Sequence, residues 1–267
     1  MTTSAARVER FEYGGAVLVD EVLGRAPSRH LVLLHGWGVN RDALRGIAVL
    51  FEHTHQVHLI DLPGFGDAPL PPADWGTVHY ADLVQQFVLD RLDGTVVVVG
   101  HSFGGRVAVR LGARRLAPIK GIVLMGVPGL PQPSTSKRAL RARGIRGLRK
   151  VLVALKPLLG NGPVEWHTRT YGSRDYLAAG ELKSVFVRVV TEDLTESART
   201  IACPVLLLYG TDDTETPPWL AVRYQALIGK PATLVLLPHK DHYLYTGTGA
   251  HLVAQKIRDW LPESGDV

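Results

Sequence analysis

The 267-residue sequence predicts an α/β fold built on a mostly parallel sheet, and three observations carry that prediction. Short, nearly continuous apolar runs recur along the chain. Helix-like patterns alternate with them. One long stretch past the middle contains no such run. Continuous β-branched runs suit strands buried on both faces, as in a parallel sheet. Alternation of strand and helix then covers both faces of the sheet through right-handed crossovers.

Residues 8–12 and 16–23 flank Gly14-Gly15 and read as a hairpin. HLVLLH at 30–35 runs into Gly36, and QVHLID at 56–61 runs towards Pro63-Gly64. TVVVVG at 95–100, GIVLMGV at 121–127, PVLLLY at 204–209 and TLVLL at 233–237 are of the same kind. Helical periodicity covers 42–52, 78–92, 104–116, 219–228 and 250–261. Residues 130–200 break the alternation. They open on the linker PQPSTSK and continue as helices, one with an apolar stripe of Ile145, Leu148, Leu152 and Leu155. The pattern is that of a helical insertion between two sheet strands.

Charge separates the two parts. The sequence pI is about 9.4, yet residues 130–200 hold thirteen Lys/Arg against six Asp/Glu, while the rest holds seventeen against nineteen. The basic character belongs to the insertion, which argues against a nucleic-acid-binding body. Lys137–Lys150 has seven basic residues and no acid. Its plain reading is a solvated helix face; its functional reading is a dock for an acidic partner or substrate carrier. The single Cys203 can form neither an intrachain disulfide nor a zinc site, and a small, buried apolar role in a strand is expected for it. The first residues hold no apolar leader and no run is long enough to cross a bilayer, so the expected address is cytoplasmic, without membrane association.

Gly100-His101-Ser102-Phe103-Gly104 fits G-x-S-x-G, between a strand and a helix. A sharp strand-to-helix turn strains the central residue and lifts its hydroxyl above the sheet edge, and the helix N-terminus favours negative charge there. With LLHGWG at 33–38, DLPGFGD at 61–67, LLLYGTDDTETP at 206–217 and DH at 241–242, the chain resembles the α/β-hydrolase superfamily. The resemblance implies eight strands, mostly parallel, with a helical cap between strands six and seven. The core would be 1–129 and 201–267 and the cap 130–200. The first third is similar to esterases that demethylate pimeloyl-carrier-protein methyl ester; GHSFGG and the C-terminal region are similar to general esterases and carbon–carbon bond hydrolases.

In this fold the catalytic order is Ser, acid, His. The family's G-x-x-D-x-x-x-P spacing, from Gly210 to Pro217, implies Asp213 as the acid, with Asp212 and Glu215 as turn neighbours. The family's Asp-His implies His242 as the base rather than His239; His251 sits in the last helical pattern. Phe103, after the nucleophile, and Trp37, by resemblance to the HGxG loop, would give the oxyanion-hole amides. The Trp37 side chain either lines the pocket or packs under the cap. His53, His55 and His58 straddle a helix end and a strand with no acid in register, and Asp61 reads as a structural turn residue. DLPGFGD lacks a phosphate-loop lysine. The expected activity is hydrolysis of a small-molecule carboxylic ester with no metal or organic cofactor. Two alternatives stand beside it: carbon–carbon bond hydrolysis with the same residues, and a non-catalytic binding or scaffold protein of this fold.

Overall fold

The structure is a computed structural model that describes residues 7–26, 28–131, 137–160, 162 and 174–261. The side chains of Arg138, Arg141, Arg146 and Arg149, on which the docking expectation turns, lie outside what is described. Eight strands form one sheet: β1 (Arg7–Tyr13), β2 (Ala16–Leu23), β3 (Arg29–Leu34), β4 (Gln56–Asp61), β5 (Thr95–His101), β6 (Ile119–Met125), β7 (Val205–Gly210) and β8 (Ala232–Leu237). Their order is β1-β2-β4-β3-β5-β6-β7-β8. The β1–β2 and β2–β4 pairs are antiparallel, and the others are parallel. The first hairpin turns on Gly14 and Gly15, both at positive φ (64° and 77°), a backbone that side chains with a Cβ resist.

The continuous apolar runs are explained by two cores, one on each face. In β3, Val32 and Leu34 point into one core and Leu31 and Leu33 into the other. In β7, Leu207 and Tyr209 face the first and Leu206 and Leu208 the second. The first core is closed by α2 (Thr77–Arg91), α3 (Ser102–Ala113), α8 (Thr195–Thr200) and α9 (Pro218–Ile228). The second is closed by α1 (Arg45–Ala48) and α10 (Gly249–Trp260).

One helix expectation fails. The pattern over 42–52 gives a 3₁₀ turn at Arg41–Leu44 and then only the four-residue α1. Asp61 Oδ1 takes the Arg41 N–H at 2.7 Å, and Asn40 caps the start through the Asp42 N–H at 3.1 Å. At the far end the chain tightens, with Leu50 N–H donating to Ile47 O and Phe51 N–H to Ala48 O.

Between β6 and β7 lie α4 (Lys137–Ala154), α5 (Lys156–Leu159), α6 (Arg174–Ala178), α7 (Lys183–Thr191) and α8. Leu182, Val185 and Val189 bury into the first core and anchor the insertion over the sheet's C-terminal edge. Of the α4 stripe, Leu148 and Leu155 remain exposed.

Candidate active site

Strand β5 ends at His101 and α3 begins at Ser102 with no intervening loop. Ser102 therefore takes φ +49°, a left-handed conformation that costs a non-glycine residue about 1–3 kcal/mol. The turn closes only because its neighbours lack side chains. A Cβ on Gly104 would stand 2.2 Å from the Leu34 carbonyl oxygen, and one on Gly100 would stand 2.5 Å from that of Gly104. The Gly104 N–H donates to His35 O at 3.0 Å, tying the elbow to the loop after β3. Phe103 is the second residue of α3, so its N–H has no intrahelical acceptor and faces the helix's positive end.

The loop after β3 is held by His35. Its Nε2 accepts the Leu62 N–H at 3.1 Å, so its Nδ1–H donates to Gly36 O at 2.7 Å. Complete burial pushes its pKa down to about 4, which keeps this tautomer neutral. Trp37 follows and meets Phe65, Phe103 and Phe186, with ring centroids 5.0, 5.4 and 5.0 Å away. It also lines the cavity at Ser102, so it packs and lines at once.

Asp213 and His242 come together behind that cavity. His242 Nδ1–H donates to Asp213 Oδ2 at 2.9 Å. Asp213 Oδ1 accepts the Glu215 and Thr216 N–H groups at 2.8 and 2.7 Å, and the Thr216 hydroxyl donates to Oδ2. Burial pushes this carboxyl's pKa up, but the hydrogen bonds from His242 and Thr216 outweigh it and hold it below its usual value. The bare end of β6 leaves room for the pair: a Cβ on Gly126 would stand 3.2 Å from His242 Nδ1. Asp212 is exposed and accepts from Thr211 at 2.8 Å; His239 is exposed, 4.0 Å from Asp212. His251 is exposed on α10.

Ser102, His242, Phe103 and Trp37 line one cavity of 190 Å³ under α7, with Arg106, Pro128, Phe186, Val189 and Thr216 among its walls. A wider groove of 810 Å³ adjoins it through Trp37. Three neighbours escaped sequence reasoning, and Glu215 was read there only as a turn residue. His101 Nε2–H donates to the His242 carbonyl at 3.0 Å, and burial pushes its pKa down to about 3. Thr216 braces Asp213, Glu215 Oε2 stands 3.6 Å from His242 Nε2, and Arg106 enters the cavity wall. Only Arg106 had a readable signal, four residues after Ser102 on one helix face.

The other expectations sort by contact. Asp61 holds the turn, accepting from the Arg41 and Asp67 N–H groups at 2.7 and 2.9 Å and from the Arg41 guanidinium. Cys203 is only partly buried and precedes β7 rather than lying in it; burial raises its thiol pKa. The histidine cluster needs correction. His58 does meet an acid: its Nδ1 lies 2.8 Å from Asp20 Oδ2 and its Nε2 3.1 Å from His30 Nδ1. The antiparallel β2–β4 pairing brings Asp20 there from 38 residues away, beyond any local spacing. Among the described residues no group of three or more His, Cys, Asp or Glu could hold a metal ion, and no helix is long and apolar enough to cross a membrane.

A parallel sheet with a strand-to-helix serine elbow, an Asp–His pair at its C-terminal edge and a helical insertion above defines an α/β-hydrolase architecture. The profile of the alpha/beta hydrolase family matches residues 31–255, and the chain belongs to that family. It is 27% identical over 244 residues to a pimeloyl-[acyl-carrier protein] methyl ester esterase of Nitrosomonas europaea, covering 83% of this chain and 91% of that protein. The enzyme of the same name from Chromobacterium violaceum is 30% identical over 222 residues, 76% of this chain and 84% of its own. The similarity to these esterases thus extends well past the first third. A solved structure of a membrane phospholipase A described as a bacterial virulence factor superposes with a TM-score of 0.75 at 21% identity, over 96% of this chain and 86% of that one.

Proposed function

We propose that the protein is a serine esterase that cleaves a carboxylic ester through an acyl-enzyme. The observation that carries this reading is the Asp213–His242 hydrogen bond at 2.9 Å, with His242 and the strained Ser102 lining one cavity. His242 Nε2 takes the Ser102 proton as the hydroxyl attacks the ester carbonyl. It then gives that proton to the departing alcohol. Water attacks the acyl-serine with the same base, releasing the acid and regenerating Ser102. Asp213 fixes the imidazole tautomer with Nδ1 protonated. The Phe103 and Trp37 amides stabilise the oxyanion, each worth about 3–4 kcal/mol in the transition state. His101 is a positioning residue: it holds the His242 backbone and stays neutral beside it.

A fluorophosphonate probe should label Ser102 alone, and the labelled protein should lose activity on a panel of esters graded in acyl length and charge. A wild-type protein that hydrolyses the panel yet resists the probe would overturn the reading. A finer version makes the ester carrier-borne, in line with the names of the curated relatives and the net +7 of residues 130–200. Reversing Arg138, Arg141, Arg146 and Arg149 to Glu should then lower kcat/KM for a carrier-linked ester and flatten its salt dependence, with a small neutral ester as control. An equal response of both substrates would reject the docking role.

A further inference from the structure

Arg106 is a charged group that the esterase reading leaves unused. Only 6% of the residue is exposed, and its Nη1 is buried without a hydrogen-bond partner among the described residues. Among the described residues no carboxylate pairs with it. Glu192, the acid whose charge reaches it, is committed elsewhere: it accepts the Thr77 N–H at 2.8 Å and meets Arg110 at 3.4 Å. The Tyr224 hydroxyl, also close, donates to Pro128 O at 2.8 Å. Burial pulls the pKa of the guanidinium down, yet an arginine stays protonated at neutral pH. An unpaired buried charge is costly. A position that only needed bulk would be better filled by an apolar side chain.

Arg106 shares the cavity wall with Ser102, its Nη1 lying 3.2 Å from where a Cβ on Gly129 would stand. Arg106 follows Ser102 by four residues on α3, about 6 Å along the axis, and helical side chains lean back towards the N-terminus. Both residues line the 190 Å³ cavity. Pro128, Phe186, Val189 and Val190 give it an apolar side, with Thr216 and His242 opposite. The acids Asp175 and Glu215 also line it, but both are exposed, and Glu215 stands on the His242 side. Their charges are screened by water, whereas that of Arg106 is not. A cavity of about 150 Å³ holds a benzene ring, so this one accepts an acyl group of about seven non-hydrogen atoms.

We infer that Arg106 is the anion-binding end of the acyl pocket, and that the preferred substrate is an ester of a short dicarboxylic acid whose free carboxylate pairs with this guanidinium. The inference deepens the esterase reading and rests on it for the reacting bond. Arg106 does not touch that bond; it is a specificity-determining residue.

The test pairs monomethyl succinate and monomethyl glutarate with methyl butanoate and methyl pentanoate. The wild-type protein should favour the half-esters. Arg106→Met should lower the half-ester over neutral-ester ratio of kcat/KM by about 10- to 100-fold, as loss of a charge-assisted contact predicts. Arg106→Lys keeps the charge and should lose less, which guards against a fold defect. A second arm needs no catalysis. Succinate or glutarate should raise the Tm of Ser102→Ala, butanoate should not, and the shift should vanish in Ser102→Ala/Arg106→Met. Arg106→Met should not lower Tm by itself, because no native partner is lost. A wild-type preference for the neutral esters, an equal effect of Arg106→Met on both ester classes, or no Tm shift with either dicarboxylate would overturn the inference. Failure of the fluorophosphonate to label Ser102 would instead reject the esterase reading, and the Tm arm would still decide for Arg106.

Discussion

At Ser102 the backbone is held at φ +49° although alanine, asparagine or glycine would sit there as well or better, so the hydroxyl rather than the conformation explains the residue. Ser102→Ala is therefore expected to remain folded and to lose about 10⁴–10⁶-fold in kcat, measured on whichever ester the panel selects. The two adjacent aspartates make a sharper comparison. Asp213 is buried and accepts four hydrogen bonds, while Asp212 is exposed and meets a threonine hydroxyl. Asp213→Asn should cost about 10⁴ in kcat by releasing the wrong imidazole tautomer. Asp212→Asn should change the rate by no more than about twofold, in line with other surface changes. Equal losses would mean that the loop acts as a unit. Both aspartates were separable in the sequence because the Gly210–Pro217 spacing is local. The His101 link to the His242 carbonyl was not, since His101 and His242 lie 141 residues apart and meet only across the sheet.

Elements behave according to what surrounds them. The central strands β3, β4 and β7 were legible because each is buried on both faces, so the sequence needs no alternation to mark them. The 42–52 segment was not, because the Arg41 N–H just before it is held by Asp61 at the end of β4. Glycines in two helices give opposite expectations. In α3, Gly104 presses against the Leu34 carbonyl, so Gly104→Ala forces backbone apart and should cost about 1–3 kcal/mol or more in a denaturant titration. In α4, no atom of the described residues lies within 4 Å of a Cβ built on Gly144 or Gly147. Replacing each with alanine should stabilise that helix by about 1 kcal/mol, read as slower amide exchange over Lys137–Ala154. If exchange is unchanged, helix propensity does not limit the insertion's order.

For the whole molecule, the buried histidines fix how stability answers to acid. His35 and His101 are neutral in the native state, with pKa values pushed by burial to about 4 and about 3 from an ordinary 6.5. His35 holds the two loops beside the elbow and would lose the Leu62 N–H on gaining a proton, while a proton on His101 Nδ1, which has no partner among the described residues, would be an uncompensated buried charge. The sign follows from proton counting. Below pH 6.5 the unfolded chain binds protons that the native state refuses, so acid favours unfolding. The contribution is complete above pH 6.5 and disappears as the pH falls through about 4 for His35 and about 3 for His101. His55, also pushed to about 4, and His30, pushed down by burial, act in the same direction. Asp20 opposes them, because burial raises its carboxyl pKa and the native state keeps that proton longer. It stands against four histidines and, at lower pH, against Glu21, Asp193 and Asp213, whose carboxyl pKa values are lowered. For His35 alone the shift is worth about 3 kcal/mol, a large part of a typical 5–15 kcal/mol total. Tm should therefore be nearly flat above about pH 7 and fall steeply between about pH 6 and 4. Calorimetry at pH 5 in buffers of different ionisation enthalpy should show net proton uptake on unfolding, of about two or more per chain. His35→Gln, where it folds, should reduce that uptake by about one proton. A Tm that stays level down to pH 4, or unfolding without proton uptake, would show that these histidines are already charged in the native protein and that the loops around Ser102 are held by something else.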